Sequence, residues 1–190
     1  MSQRSKRSER SGAKSLLADV AFGLVAGAAA TFVMDKVSGY LYSLEDERTR
    51  KQEENLRNNE YPPEVLAEKV AETVAGVKLD KETKQKYGTA VHWGYGVMWG
   101  GLFGALRDRA PLVGAANGIG FGTGLWLIGD EVMMPLAGLS PPSMEFPWQN
   151  HARAFANHLA YGGTLGLTHN LLRKISGQSG GQSSGRAKFD

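Results

Sequence analysis

Several histidines and carboxylates stand out because they lie inside, or at the edges of, otherwise apolar runs. His92 sits near the start of one run and His158 early in another, while Asp35, Asp130 and Glu131 stand at the ends of two more. An ionisable group at membrane depth needs a partner or a water-filled site. On the last run, His151, His158 and His169 are seven and eleven residues apart. At 100° per residue they fall within about 40° of one another on a helix. Gly162 and Leu165 share that face, with Tyr161 at its edge. If the runs are antiparallel helices, Asp35, His92, Asp130, Glu131 and His158 come to one layer near one membrane face.

Three roles fit such a layer. The histidines can bond carboxylates or backbone carbonyls and lock helix packing. They can bind or relay protons, because imidazole titrates near neutral pH and a neighbouring carboxylate moves it. Two histidines with one or two carboxylates can also hold a metal, or two histidines a haem, although no HxxxH or HExxH spacing is present. Other chemistries are excluded or poorly supported. With no cysteine there is no disulfide, thiolate catalysis or thiolate metal site. No serine stands in a G-x-S-x-G setting, and the glycines at 118, 120 and 122 follow no strand that would make a phosphate loop. The protein is expected not to be an enzyme, and to need no cofactor.

The elements that must position this layer are four apolar runs, about 14–37, 87–106, 110–129 and 154–172. Mean hydropathy over all 190 residues is only −0.30. That average mixes nearly charge-free runs with densely charged tails and a charged segment over 38–86. Glycine distinguishes a membrane bundle from a soluble one. Gly23 and Gly27 are four apart, as are Gly96, Gly100 and Gly104, then Gly114, Gly118 and Gly122, and Gly162 and Gly166. Each interior glycine costs about 1 kcal/mol relative to alanine in a water-exposed helix. In lipid, the same GxxxG spacing lets helix backbones touch. The expected fold is therefore all-α: a polytopic membrane protein with four Gly-rich transmembrane helices and a charged, helical extramembrane segment between the first and second. The transmembrane domain covers 13–175, between a basic disordered tail at 1–12 and a disordered Gly/Ser tail at 176–190.

Loop charge sets the expected orientation. The N-terminal flank, the Arg107-Asp108-Arg109 connection and Arg173-Lys174 are basic. The other connections balance acid and base, or are acidic. This orients a multi-pass membrane protein with both termini cytoplasmic. The net charge of +3 is concentrated in those flanks, without zinc-finger spacing or aromatic-studded basic patches, so nucleic acid is not an expected partner. The first run also has the shape of a signal peptide, with a basic start and small residues near its end. In the extramembrane segment, Pro62 and Pro63 should open a helix whose Leu66, Val70, Val74 and Val77 form an apolar stripe, packed on the protein or laid on the bilayer. Residues 44–60 should form a solvated extension of the first span.

Between the third and fourth runs the chain reads Pro135-Leu136-Ala137-Gly138-Leu139-Ser140-Pro141-Pro142, then Phe146-Pro147-Trp148, and later His158-Leu159. This pattern, with His92-Trp93 in the second run, resembles the YagU-type bacterial inner-membrane proteins, a family of unknown function. The resemblance covers roughly 13–175 and is specific in the loop. It implies an inner-membrane location and several spans, and no catalytic residues. The prolines restrict the loop, Gly138 supplies a turn, and Trp148 suits a headgroup-level anchor. Together these observations predict a non-enzymatic structural or accessory subunit partnered by the lipid bilayer, and by copies of itself or another membrane subunit. A small proton-linked or solute-permeating transporter and an intramembrane metal or haem protein are the alternatives.

Overall fold

The computed structural model describes residues 3–177, with side chains from residue 15 onward. Every regular element among them is helical. The first helix, α1, runs Gln3–Leu44. It is therefore already formed within the segment expected to be a disordered tail, where only Gly12 weakens helix propensity and no proline interrupts it. From residue 178 on, the expected Gly/Ser tail lies outside the described residues. After α1 come α2 (Glu47–Leu56), α3 (Pro62–Ala75) and α4 (Lys81–Leu106). The third run comprises α5 (Pro111–Gly114), α6 (Ile119–Gly124), a π-helical stretch over Leu125–Met133 and α7 (Met134–Leu136). The last helix, α8, is Trp148–Ile175.

α1, α4, the third run and α8 form an up-down bundle. α1 packs against α4 and α8, and α6 packs against α8. Phe121 of α6 reaches α4 through edge contacts with Trp99 and Phe103. One end holds the tight α4–α5 hairpin and is called the hairpin end. The other, called the cap end, is covered by α2, α3 and the 137–147 loop.

Two helices are long and apolar enough to cross a membrane, Ser15–Leu44 and Pro111–Leu136. The other two expected spans, α4 and α8, fall short on composition. α4 carries near-neutral glycines beside His92 and Tyr95, and α8 carries asparagines, histidines and Arg153. The helices also overrun the expected boundaries, α1 continuing to Leu44 and the third run to Leu136.

The third run is broken, which its composition did not suggest. Ala116, Asn117 and Gly118 have φ of 46°, 57° and 95°. Left-handed backbone costs about 1–2 kcal/mol per ordinary residue, less for asparagine, and glycine takes it freely. The break brings the Asn117 carbonyl against Gly166, and the Asn170 amide donates to Asn117 Oδ1.

The extramembrane segment also departs from expectation. Asp46 ends any continuation of α1 by capping α2, its carboxylate accepting from the Thr49 N–H at 2.9 Å. α2 then lies over the bundle with Glu53 only 2% exposed, so 44–60 is not a solvated extension. α3 does start at Pro62 and ends at Gly76, whose φ is 65°. Its buried contact is not the valine stripe. Ala67 is buried, and Glu64 sits where a Cβ on Gly88 would fall, while Val70, Val74 and Val77 stay exposed.

Candidate functional site

Glycine sets the register that assembles the site. A Cβ on Gly104 would overlap the Asp19 carbonyl, and one on Gly23 the Gly100 carbonyl. One on Gly27 would lie 2.7 Å from the Gly96 carbonyl and 3.0 Å from Gly100 Cα. On the other side of Gly96 stands Thr31, whose hydroxyl donates to the Gly27 carbonyl at 2.9 Å. Continuing this antiparallel register by one turn places Asp35 beside His92, and His92 Nε2–H donates to Asp35 Oδ1 at 2.8 Å.

A second seam joins the third run to α8. Gly118 meets Gly162, Gly122 meets the His158 carbonyl, and Gly166 meets Asn117. Gly114 instead packs on the Arg107 carbonyl within the hairpin. Past this seam the chain winds as a π-helix, a form found mostly as short bulges and often at functional sites. It carries Asp130 and Glu131 inside the helix, where they were expected to mark its end. Helical side chains lean toward the helix N-terminus, so those of α8 point to the cap end. His158 Nδ1–H donates to the Ala154 carbonyl at 2.9 Å and stands 3.6 Å from Asp130 Oδ2. One turn or two nearer the cap, His151 Nδ1–H donates to Glu131 Oε1 at 2.7 Å.

All five residues of the expected layer thus come together, and a third pair, His151–Glu131, joins them. His92 and His151 give a ring hydrogen to the carboxylate they face, whereas His158 gives its Nδ1 hydrogen to the Ala154 carbonyl and stands beside Asp130. His169, on the same stripe, goes elsewhere. It is fully buried at the hairpin end, where Nδ1 accepts from Arg107 at 3.0 Å and Nε2–H donates to the Asp19 carbonyl at 3.1 Å.

His92, Asp130, Glu131, His151 and His158 line a cavity of about 390 Å³, with Asp35 behind His92. It reaches from Thr31 and Gly96, where the Tyr161 hydroxyl donates to the Gly96 carbonyl at 2.6 Å, to the cap. Over it lies a chain of alternating charge. Arg153, 9% exposed, pairs with Glu45 at 2.6 Å and also with Glu53, and Glu53 holds Arg57 at 3.1 Å. The Arg57 guanidinium stacks 4.5 Å from the Phe146 ring. Burial pushes the Glu45 carboxyl above its ordinary range, and Arg153 only partly offsets this.

The proline loop closes this cap. Leu139 and Phe146 line the cavity, and the Ser143 hydroxyl donates to the Glu131 carbonyl at 2.9 Å. Lys69 of α3 donates to the carbonyls of Ala137 and Gly138, at 3.1 and 2.9 Å, just past the Pro135 turn. Gly138 has φ 64°, Pro141 and Pro142 lead into a short 3₁₀ turn at Ser143–Glu145, and Pro147 precedes the first turn of α8. Trp148 is 72% exposed.

Nothing in the sequence pattern singles out Glu45, Glu53, Arg153 or Asn157. The first three sit among many other charges with no pattern to separate a buried one from a solvated one. Asn157 lacked any mark beyond its place on the histidine-bearing helix. Among the described residues no three His, Asp or Glu side chains converge to hold a metal.

No curated protein and no solved structure matches the chain. Residues 47–167 match the family described as protein of unknown function DUF1440, a stretch running from the start of α2 well into α8 and leaving out α1 with Asp35. Because that match spans more than half of its length, the chain belongs to the DUF1440 family.

Proposed function

We propose that the protein is a non-enzymatic, four-span protein of the cell inner membrane, both termini cytoplasmic, in which a proton-binding cavity is linked to movement of a small solute. The observation that carries this is the cavity lined by two His–carboxylate pairs, His151–Glu131 and His158–Asp130, and by His92, which Asp35 holds from behind. Imidazoles titrate between pH 5 and 8, and each has a carboxylate beside it to stabilise the charge taken up.

The membrane setting is supported by the distribution of side chains. Beside a cluster of Phe103, Phe121, Tyr161 and Leu165, the interior between helices holds glycine, alanine, Asp19, Asn157, His158 and His169. Leu17, Val25, Phe32, Ile128, Leu167 and Leu171 face outward. Soluble monomers rarely expose contiguous apolar surface on this scale. The Pro135–Pro142 motif with Pro147-Trp148 supports placing the chain with the YagU-type proteins. The basic Arg107–Arg109 and Arg173-Lys174 connections share the hairpin end with the start of α1, as the positive-inside rule requires of cytoplasmic termini.

The test is proton flux in liposomes. His92→Ala and His158→Ala are each expected to lower the flux at least tenfold. Flux unchanged in both variants removes this function. A second role, as a subunit that packs against copies of itself or a membrane partner, is favoured by Gly94 and Gly124, where an added Cβ would meet nothing within 4 Å. Cross-linking from cysteines placed at 94 and 124 in membranes tests it, and products of monomer size only would exclude it.

A further inference from the structure

The charges around the cavity do not balance. In the cap, Arg153 and Arg57 are matched by Glu45 and Glu53, cation for anion. That leaves Asp35, Asp130 and Glu131, whose partners are histidines and are charged only when protonated. With the imidazoles neutral, the two such carboxylates that line the cavity, Asp130 and Glu131, have no ion-pair partner of fixed charge, and Asp35 stands behind His92. With all three imidazoles protonated, the excess is gone. The other ionisable groups facing this space are the phenols of Tyr61, Tyr95 and Tyr161, which carry no charge near neutral pH.

A second, independent feature points to a ligand. Asn157 is 6% exposed and lines the cavity, and its Oδ1 has no hydrogen-bond partner. A buried acceptor left unmade is costly, so such a group calls for a donor. A bare metal ion is the poorer fit, because among the described residues no three carboxylates or histidines converge. The remaining wall mixes apolar and aromatic groups, Met34, Val91, Leu125 and the Trp99 ring among them, with the polar side chains of Thr31, Ser38, Ser140, Ser143 and Asn150. A volume of about 390 Å³ is within the range of small-molecule sites.

We propose that the cavity binds a small protonated amine, held by the carboxylates of Asp130 and Glu131 with an N–H donated to Asn157 Oδ1, and that proton uptake by His92, His151 and His158 displaces it. The inference rests on the proton-binding role of the same cavity and adds to it the class of solute and the sign of the coupling. Each imidazole that gains a proton neutralises the carboxylate it faces and removes one attraction for the amine. Protons and amine therefore compete, and the coupling is exchange.

The experiment is calorimetric titration of the full chain in detergent with benzylamine, and with benzoate as a probe of like size and opposite charge. Benzylamine is expected to bind at pH 8 and at least tenfold more weakly at pH 5.5. Benzoate is expected not to bind at pH 8. Asn157→Leu and Asp130→Asn should each weaken benzylamine at least tenfold. Glu145→Gln, exposed and away from the cavity, should leave it unchanged. If Asp130→Asn does not yield monodisperse protein, Glu131→Gln takes its place with the same expectation. Equal binding of benzoate, indifference to pH, or full affinity in Asn157→Leu would overturn the proposal. Proton flux in liposomes without benzylamine binding removes the amine and leaves the proton role standing. Benzylamine binding with the stated pH dependence, but with no proton flux, keeps this site and removes the transport role.

Discussion

His158 and His169 lie three turns apart on one face of α8, and their surroundings are opposite. His169 sits at the hairpin end without exposed surface, both ring nitrogens engaged by Arg107 and the Asp19 carbonyl. The rings of Phe22 and Phe103 meet it edge-on at 6.2 and 5.8 Å. His158 borders a cavity and meets a carboxylate at 3.6 Å. The hairpin half of the bundle is closed by backbone contact, whereas the cap half is hollow, roofed by the matched charges of Arg153, Glu45, Glu53 and Arg57 and walled by carboxylates that face histidines. A histidine in a membrane helix is therefore a strut or a titrating group according to what the opposing helix presents, and its own helix does not decide which.

Four measurements can break or sharpen this contrast. The largest effect is expected in the cap half. Arg153→Leu strands Glu45 and leaves Glu53 with Arg57 alone in a buried setting, and removing one partner of such a network costs about 3–5 kcal/mol. Thermal unfolding in detergent should show the loss, and protease access to α2 should rise. A stability near wild type would mean that the cap is not held by charge. Next is the hairpin half, where Gly100→Leu drives a side chain into the Gly23 carbonyl and Gly27. Overpacking of this kind costs about 3 kcal/mol, while Gly94→Leu on the same helix faces open space and should cost little. Equal yields of folded protein from both would refute a backbone seam.

The third measurement compares the two histidines directly. His169→Leu leaves the Arg107 guanidinium and the Asp19 carbonyl without their partner, a loss of about 1–3 kcal/mol. His158→Ala opens further space onto a cavity that water can fill, and should cost under about 1 kcal/mol while suppressing proton flux. The reverse ranking would exchange the roles of the two ends. The smallest effect concerns the connections. Hydrogen bonds from the Thr49 backbone and hydroxyl hold Asp46 below its ordinary range, and Thr83 does the same for Asp80. A carboxyl whose pKa is depressed on folding stabilises the fold above its ordinary value, near 3.8, and loses that contribution as pH falls through the folded value. The first turns of α2 and α4 should therefore fray in acid below about pH 4, read as a modest fall in helical circular dichroism. Asp46→Ala should reproduce part of that fall at neutral pH.

Much of the bundle was legible in the residues. Glycine every fourth position marks where two backbones can meet, and the surfaces used at Gly23, Gly27, Gly96 and Gly100 are those positions. Proline at 62 starts a helix where it stands, whereas the caps Asp46 and Asp80 did not stand out, and 44–60 read as an extension of the first span. Less legible was the course of the third run. Its left-handed turn at Ala116–Gly118 and its π-helical stretch answer to contacts with α8, and local propensity for an Ala/Gly segment is compatible with a straight helix. The burial of Glu53 was invisible because helix α2 has the composition of a solvated helix, and only its docking on Arg153 takes it out of water.

By itself, the sequence determined the helical elements, the small-residue faces and the set of titratable groups on them, because backbone preference and side-chain spacing are local properties. The tertiary structure alone decided which imidazole meets which carboxylate, that His169 is locked while His151 is paired, and that a cavity remains between them. Those outcomes depend on the register and rotation of helices distant in the chain. A shift of one residue turns a side chain by about 100°, enough to exchange a partner for a packing contact.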